Sequence, residues 1–308
     1  MTETVRTPRQ RREPIEAVLM GERRHLTNLA YRLLGSLAEA EDVVQETYAR
    51  WFAQPSGQRD AVESAGAWLT TVAGRICLDQ LRSARARRER YVGEWIPEPL
   101  PDRTEWTSGA AAADPAERVT LDESVSMAFL VVLESMTAAQ RVAFVLHDVF
   151  AYQFDEVADI VGRSPAACRQ LAASARRRVD RTRSSIGPAG RHGDVVRRFR
   201  LAWQAGDIDA IIGLLDPNAT VTADGGGLAN ATLRPVVGAE RIANRLFNFS
   251  GRFRDATILQ RTVNGQPGLV SIRDGVVDTV CAFEIAGDRI VHLWAVRNPE
   301  KLRGWRCG

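Results

Sequence analysis

FDEVADIVGRSPAACRQLAASARRRV, residues 154–179, carries two helical patterns separated by a glycine, and its reading sets the class of the whole chain. Gly162 stands where a left-handed C-cap would end the first helix. Two residues on, Ser164 can cap a second helix, and Pro165 suits its first position because the missing N–H would be unpaired there anyway. Two short helices joined by a glycine-containing turn form a helix-turn-helix. Such a motif lays its second helix in a major groove with the N-terminal turns toward the base edges. The residues brought nearest are Ala166, Ala167, Arg169, Gln170 and Ala173, of which Arg169 and Gln170 can bond guanine or adenine edges. Arg176, Arg177 and Arg178 follow one or two turns later, better placed for phosphates, while Cys168, Leu171 and Ala172 face the core. An ordinary helical hairpin with a solvated basic end fits the same stretch taken alone.

Working outward, residues 117–183 read as helical, with Thr137 positioned to cap AAQRVAFVLHDVF. Before them the periodicity vanishes in YVGEWIPEPLPDRTEWTSGAAAADP, where prolines recur at 97, 99, 101 and 115. That is the texture of a linker, and a domain break belongs there. Tyr91, Trp95 and Trp106 are odd residues for a free tether, so part of the linker is expected to dock on a domain. Upstream, LAEAEDVVQETYARWF puts Ala40, Val43, Val44, Thr47, Tyr48 and Trp51 on one helical face, with Glu41, Asp42, Gln45 and Glu46 largely off it. A polar loop follows, and Trp68, Leu69, Val72, Ala73, Ile76 and Leu81 resume helical spacing up to an arginine cluster. Downstream, helices over 194–215 and 238–249 give way to alternating strands, ATILQRTV, GLVSIRDG, VVDTVCAFEIAG and DRIVHLWAV, punctuated by turns. Helices followed by an antiparallel meander imply a separate α+β domain.

The totals agree with several domains. At 308 residues the chain exceeds the size of one growing core, and 45% hydrophobic content allows each part a core of its own. There is no apolar run of membrane-spanning length, and the charged N-terminus has no apolar segment behind it, so neither a membrane span nor a signal peptide is expected and the cytoplasm is the expected location. Cys77, Cys168, Cys281 and Cys307 lie far apart without zinc-ligand spacing, so reduced, buried thiols are expected and no metal or cofactor. Net charge is only +3, but its distribution is informative: Arg82, Arg85, Arg87, Arg88 and Arg90 form one basic cluster, and Arg169, Arg176, Arg177, Arg178, Arg181 and Arg183 another. Arginines after a helix can track a nucleic-acid backbone; one or two also serve simply to complement the helix dipole. Lys301 is the only lysine.

Three motifs in order, AEDVVQETYARWF, AWLTTVAGRICLDQLRSARARRE and the opening stretch, resemble the two domains of extracytoplasmic-function (group 4) sigma factors of bacterial RNA polymerase, over residues 14–183. The resemblance implies two all-α domains: residues 14–92 as sigma region 2, and residues 117–184 as region 4 with its helix-turn-helix, joined by the proline-rich linker 93–116. It implies that Glu41, Asp42, Gln45 and Glu46 bind the β′ clamp helices of core RNA polymerase, with the β flap as a further contact. The loop of residues 54–66 would hold a flipped base of the −10 element. Residues from Trp68 to Arg90, among them Arg75, Arg82, Arg85, Arg87 and Arg88, would meet the unpaired strand of promoter DNA. Arg75 stands where the broader family often has Asn. Ser164, Pro165, Ala166, Arg169, Gln170, Arg176 and Arg177 would read the −35 duplex. YVGEWIPEPLP, DGGG at 224–227 and NPEKL at 298–302 resemble the subgroup carrying a SnoaL-like C-terminal α+β domain; the resemblance implies that residues 192–303 form that domain and would control the sigma factor in cis.

TADGGGLAN, residues 222–230, leaves three readings open. Asp224 could act with His292 as an acid–base pair in a SnoaL-like pocket, start a turn, or, with side-chain-free glycines beside it, receive a foreign segment. The third reading makes Trp95, Pro97, Asp224, Gly225, Gly226, Gly227, Asn298 and Pro299 a regulatory set. Two rival functions are a helix-turn-helix regulator with a small-molecule-sensing domain, its ligand unknown, and an enzyme tethered to DNA.

Overall fold

The computed structural model of the chain describes residues 15–88, 91–102, 125–183, 189–250 and 256–305. Trp106, Arg90 and Cys307, singled out above, lie outside them. Helix α1 (Ile15–Leu34) is closed by Gly35 at φ 72°, and Ser36 turns the chain straight into α2 (Leu37–Phe52), its hydroxyl accepting from the Glu39 N–H. From α2, Ala40, Val43, Val44, Thr47 and Trp51 point inward, the stripe their spacing demands. A short α3 (Ser56–Asp60) lies in the polar loop before the long α4 (Ala65–Arg88).

After the linker come α5 (Met127–Glu134) and α6 (Ala138–Phe144), the latter started by a reciprocal capping box between Thr137 and Gln140 and continued as a π-helical turn at Val145–Val149. Helix α7 (Phe154–Val161) ends on left-handed Gly162, φ 71°, and Ser164 Oγ accepts from the Ala167 N–H at the start of α8 (Pro165–Arg183). The expected helix-turn-helix is therefore present, with both of its caps. The two helical parts share a core: Leu26, Leu29, Leu69 and Ile76 from one side of the linker and Leu130, Val142, Leu146 and Val157 from the other belong to one continuous apolar cluster. Each half is small enough to bury only about 60% of its unfolded surface alone, so sharing a core gains burial for both.

The last part runs α9 (Ala189–Ala205), α10 (Ile208–Leu214), β1 (Leu215–Asp224), β2 (Val236–Val237), α11 (Ala239–Ser250), β3 (Thr257–Val263), β4 (Gln266–Arg273), β5 (Val276–Ala286) and β6 (Arg289–Val296). The sheet order is β2-β1-β6-β5-β4-β3. The anticipated antiparallel meander covers β3 to β6, but the sheet is mixed, because β1 pairs with β6 in parallel. Strand β1 was not expected; its Asp216-Pro217-Asn218 start is turn chemistry and masks the alternation behind it. One sheet face curves around α9 to α11 over Phe199, Trp203, Ile211, Ile242, Phe283 and Leu293, giving the α+β cone expected of a SnoaL-like module. The other face is covered too. There Val270, Val280, Trp294 and Trp305 pack against Ile96 of the linker and Met127 and Ala128 at the start of α5.

Candidate functional site

Glu41, Asp42, Gln45 and Glu46 all project from α2 into solvent, opposite the buried Val43, Val44 and Thr47. Ser164, just before α8, and Ala166, Arg169, Gln170, Arg176 and Arg177 on it are exposed and Pro165 is half-buried, while Cys168 and Ala172 are buried, so one face of the helix stays open to solvent. Arg176 Nε donates to Asp148 at 2.7 Å, and the Arg169 guanidinium lies 5.4 Å from the centre of the Phe154 ring. On α4, exposed Arg82 pairs with Asp79 at 3.1 Å. Arg85, Arg87 and Arg88 belong to the same helix, their side chains outside the described part. Arg75 reaches across to α7 and donates to the Asp159 carbonyl at 2.9 Å.

That last bond is one of several between the two helical halves. A Cβ on Gly74 of α4 would come within 2.8 Å of Ile160 Cγ2 on α7, so the two helices touch at a point only glycine permits. The Tyr152 hydroxyl donates to Thr70 at 3.1 Å and lies 2.8 Å from His25 Nε2. Buried Arg141 donates to the Leu33 carbonyl at 2.9 Å and pairs with Glu134 at 2.7 Å, and burial lowers its guanidinium to about 9. The helix expected to face melted DNA thus packs on the first helix of the helix-turn-helix.

Asp224 is fully buried at the end of β1, and its side chain is taken up by the linker. Oδ1 accepts from the Tyr91 hydroxyl at 2.6 Å; Oδ2 accepts from the Ile96 N–H at 3.0 Å and from Lys301 Nζ at 2.7 Å. Lys301 Nζ also donates to the Ile96 carbonyl at 2.5 Å and sits 4.1 Å from the Trp95 ring centre, so one ammonium ties both edges of the linker. Asn298 donates to the Tyr91 hydroxyl at 2.8 Å, and Pro299 lies in the turn that brings Lys301 inward, its carbonyl accepting from the Leu302 N–H. Burial, then the bond to Asp224, pushes the Tyr91 phenol up from its ordinary value, keeping it a donor.

The glycines fit round this arrangement. Gly226, φ 59°, leaves no room for a Cβ, which would stand 2.3 Å from Asn298 Nδ2 and 2.9 Å from the Tyr91 hydroxyl. At Gly227, φ 74°, a Cβ would press on Val92 at 3.2 Å, and at Gly225 it would strike the Ala229 carbonyl. The turn itself closes through Gly225, whose carbonyl accepts from the N–H groups of Leu228 and Ala229, leaving the Asp224 carboxylate to the linker. His292 is engaged elsewhere: Nε2 lies 2.9 Å from Thr222 Oγ1, the ring stacks on Trp294, and burial lowers it to about 4.

Sequence reasoning missed the second half of the dock. Past Trp95 and Pro97, both packed over Gly35, the Glu98 N–H donates to the Gly35 carbonyl at 2.8 Å and its carboxylate accepts from the Leu37 N–H at 2.8 Å, the start of α2. Burial pushes the Glu98 carboxyl up; the Leu37 and Ser36 bonds oppose this. Asn264, at the tip of the β3–β4 hairpin, brackets Leu100 with two backbone-directed bonds, 2.8 and 3.0 Å, and donates to the Tyr31 hydroxyl at 2.9 Å. The Trp305 indole donates to the Pro99 carbonyl at 2.8 Å. Residues 91–102 therefore lie pinned between α1, α2 and the sheet. Two signals pointed towards Lys301: it is the lone lysine among many arginines, and it falls within NPEKL. No group of three or more His, Cys, Asp or Glu able to hold a metal ion occurs among the described residues, and no described helix is long and apolar enough to cross a membrane.

Residues 19–87 match the sigma-70 region 2 family and residues 126–179 the sigma-70 region 4 family. The chain is 38% identical over 295 residues to the ECF RNA polymerase sigma factor SigJ of Mycobacterium tuberculosis, an alignment covering 92% of this chain and 91% of that one. It is 33% identical over 294 residues to the probable ECF RNA polymerase sigma factor SigI of the same species, covering 94% and 95%. Its structure is similar to the crystal structure of M. tuberculosis SigJ, with TM-score 0.74 at 35% identity, over 95% of this chain and all of that one. Sigma factors are not enzymes; they bind core RNA polymerase and promoter DNA to initiate transcription. With that identity running through the helical halves and the cone alike, the chain belongs to the ECF sigma factors of RNA polymerase.

Proposed function

We propose that this sigma factor is held closed by its own C-terminal domain, with Asp224 as the clasp. The observation that carries the reading is the buried carboxylate of Asp224 receiving Tyr91, Ile96 and Lys301 at once, which joins linker and cone. In the open form, working in the cytoplasm, Glu41, Asp42, Gln45 and Glu46 bind the β′ clamp helices and region 4 reaches the β flap. Residues 54–66 hold a −10 base, Arg75, Arg82, Arg85, Arg87 and Arg88 follow the melted strand, and the helix opened by Ser164 and Pro165 reads the −35 duplex through Ala166, Arg169 and Gln170. Arg176 and Arg177 neutralise phosphates, which makes the DNA step sensitive to salt.

Distance gives the clasp its sign. Elements centred near −10 and −35 are about 25 base pairs apart, on the order of 80 Å at about 3.4 Å per pair. Helices α4 and α7, by contrast, are in van der Waals contact at Gly74 and Ile160. One molecule reading both elements must first part these helices, so a dock that ties the linker to α1, α2 and the sheet restrains initiation. Run-off transcription with sigma-free core enzyme tests this: Asp224→Ala and Gly226→Val, both still folded by circular dichroism, should raise RNA output severalfold over the parent chain. Unchanged output from both would overturn the clasp, and no RNA from any chain would overturn the promoter contacts as well.

A further inference from the structure

Among the arginines of α8, Arg169 is held differently from its neighbours. Arg176 Nε donates to Asp148 and Arg178 Nη1 donates to the Ser135 carbonyl, so both give N–H groups to protein acceptors. The Arg169 guanidinium has no hydrogen bond or ion pair among the described residues; it lies over the Phe154 ring, 5.4 Å from its centre. Such a contact needs no acceptor, so the N–H groups of Arg169 remain available to a base edge. Arg169 also shares the exposed face of α8 with Ala166 and Gln170.

The ring beneath it is itself fixed. Phe154 opens α7 directly after Gln153, whose N–H donates to Glu156 at 2.8 Å in a capping box. His147 stacks on Phe154 with ring centres 3.8 Å apart and planes at 28°. His147 Nδ1 stands 2.8 Å from the Tyr152 carbonyl, which can only accept, so Nδ1 carries the proton and the imidazole cannot turn over. His147 comes from the π-helical turn Val145–Val149, a rare element that recurs at functional sites.

We propose that Phe154, seated on His147, is a positioning residue for −35 recognition, one that holds Arg169 ready for a guanine. That role rests on the reading of α8 as the −35 helix. A long side chain loses rotamer freedom when it engages a base, and one already ordered against a ring loses less. Guanine is the matching base, since its O6 and N7 accept two N–H groups of one guanidinium.

Parent and variant chains, each full length and assembled with core RNA polymerase, are bound to promoter DNA randomised across its −10 and −35 elements, and the retained DNA is sequenced. Arg169→Ala should erase a guanine preference at one −35 position. Phe154→Leu should weaken the preference at that same position about two- to fivefold, the range of an exposed cation–π contact, and leave the other positions unchanged. Phe154→Tyr, which keeps the ring, should restore it. If Phe154→Leu does not fold, His147→Ala, which removes the ring on which Phe154 is seated, is read in its place and should weaken the same position. A guanine preference lost in Arg169→Ala but kept in full by Phe154→Leu and His147→Ala would overturn the positioning role alone, as would an equal loss at every position, the mark of a damaged fold. An unchanged profile in Arg169→Ala would overturn base reading through this residue, and the positioning role with it.

Discussion

Lys301 Nζ lies 2.7 Å from Asp224 Oδ2, with the two side chains only 10% and 0% exposed. Removing one partner of such a pair strands the other charge out of water, at about 3–5 kcal/mol, whereas removing both together is far less damaging. Asp224→Ala and Lys301→Ala should each lower the stability of the docked linker by that order. The double variant Asp224→Ala/Lys301→Ala should lose less than the sum of the two, while still leaving the Tyr91 hydroxyl and the Ile96 N–H without their acceptor. Denaturant unfolding of the four chains, with limited proteolysis at residues 91–102, reads both quantities; additive losses in the double variant would contradict a coupled pair.

Two glycines with similar backbones separate strain from contact. Gly226 and Gly275 have φ of 59° and 75°, but a Cβ at Gly226 would meet Asn298 and Tyr91, and one at Gly275 meets nothing within 4 Å. An alanine at either pays about 1 kcal/mol for the left-handed conformation. Only Gly226→Ala should also speed cleavage of the linker by protease. Equal cleavage rates in Gly226→Ala and Gly275→Ala would show that the glycine run serves the turn alone.

Acid should weaken the cone through His292. Burial holds its folded value at about 4, below the ordinary 6.5, so between these values the unfolded chain binds the extra proton and the folded one does not. This contribution to stability is complete above about pH 6.5 and disappears as pH falls towards 4. His292→Gln should therefore lose less stability than the parent chain between pH 7 and pH 4.5, measured by urea midpoint at each pH. Parallel losses in the two chains would contradict the assignment.

On α8 the exposed arginines should divide by task. Arg169→Ala should cost about 1–3 kcal/mol at one −35 position and relax the base preference there. Arg177→Ala should weaken all sequences alike and reduce the slope of log affinity against log salt by about one. Fluorescence anisotropy on matched and single-mismatch duplexes at several salt concentrations distinguishes them, and identical profiles would contradict the division.

Local chemistry made much of this legible. Gly162, Ser164 and Pro165 announce two helix ends within four residues, and the hairpin turns at Asn264-Gly265 and Asp274-Gly275 have positive φ throughout, as Asn-Gly and Asp-Gly turns require. The acidic face of α2 follows from period alone. What the residues did not disclose is contact across distance. Nothing near Asn264 says that it will meet Leu100 and Tyr31, and nothing near Glu98 says that it will seat on the first turn of α2. Asp224 came into view because a carboxylate before three glycines is unusual, and the linker because its aromatics are. The parallel strand β1 stayed hidden, since its partner β6 lies some seventy residues on, beyond any local pattern.

On the proposed reading, Asp224 keeps the −10 and −35 readers together until the clasp is released. The distance between spin labels at Ser56, the first residue of α3, and Arg181, on α8, reads this by pulsed electron resonance on the chain without polymerase. The parent chain should give one narrow, short distribution, and Asp224→Ala a broad one extended to longer distances. A narrow distribution at the same distance in both chains would contradict the account.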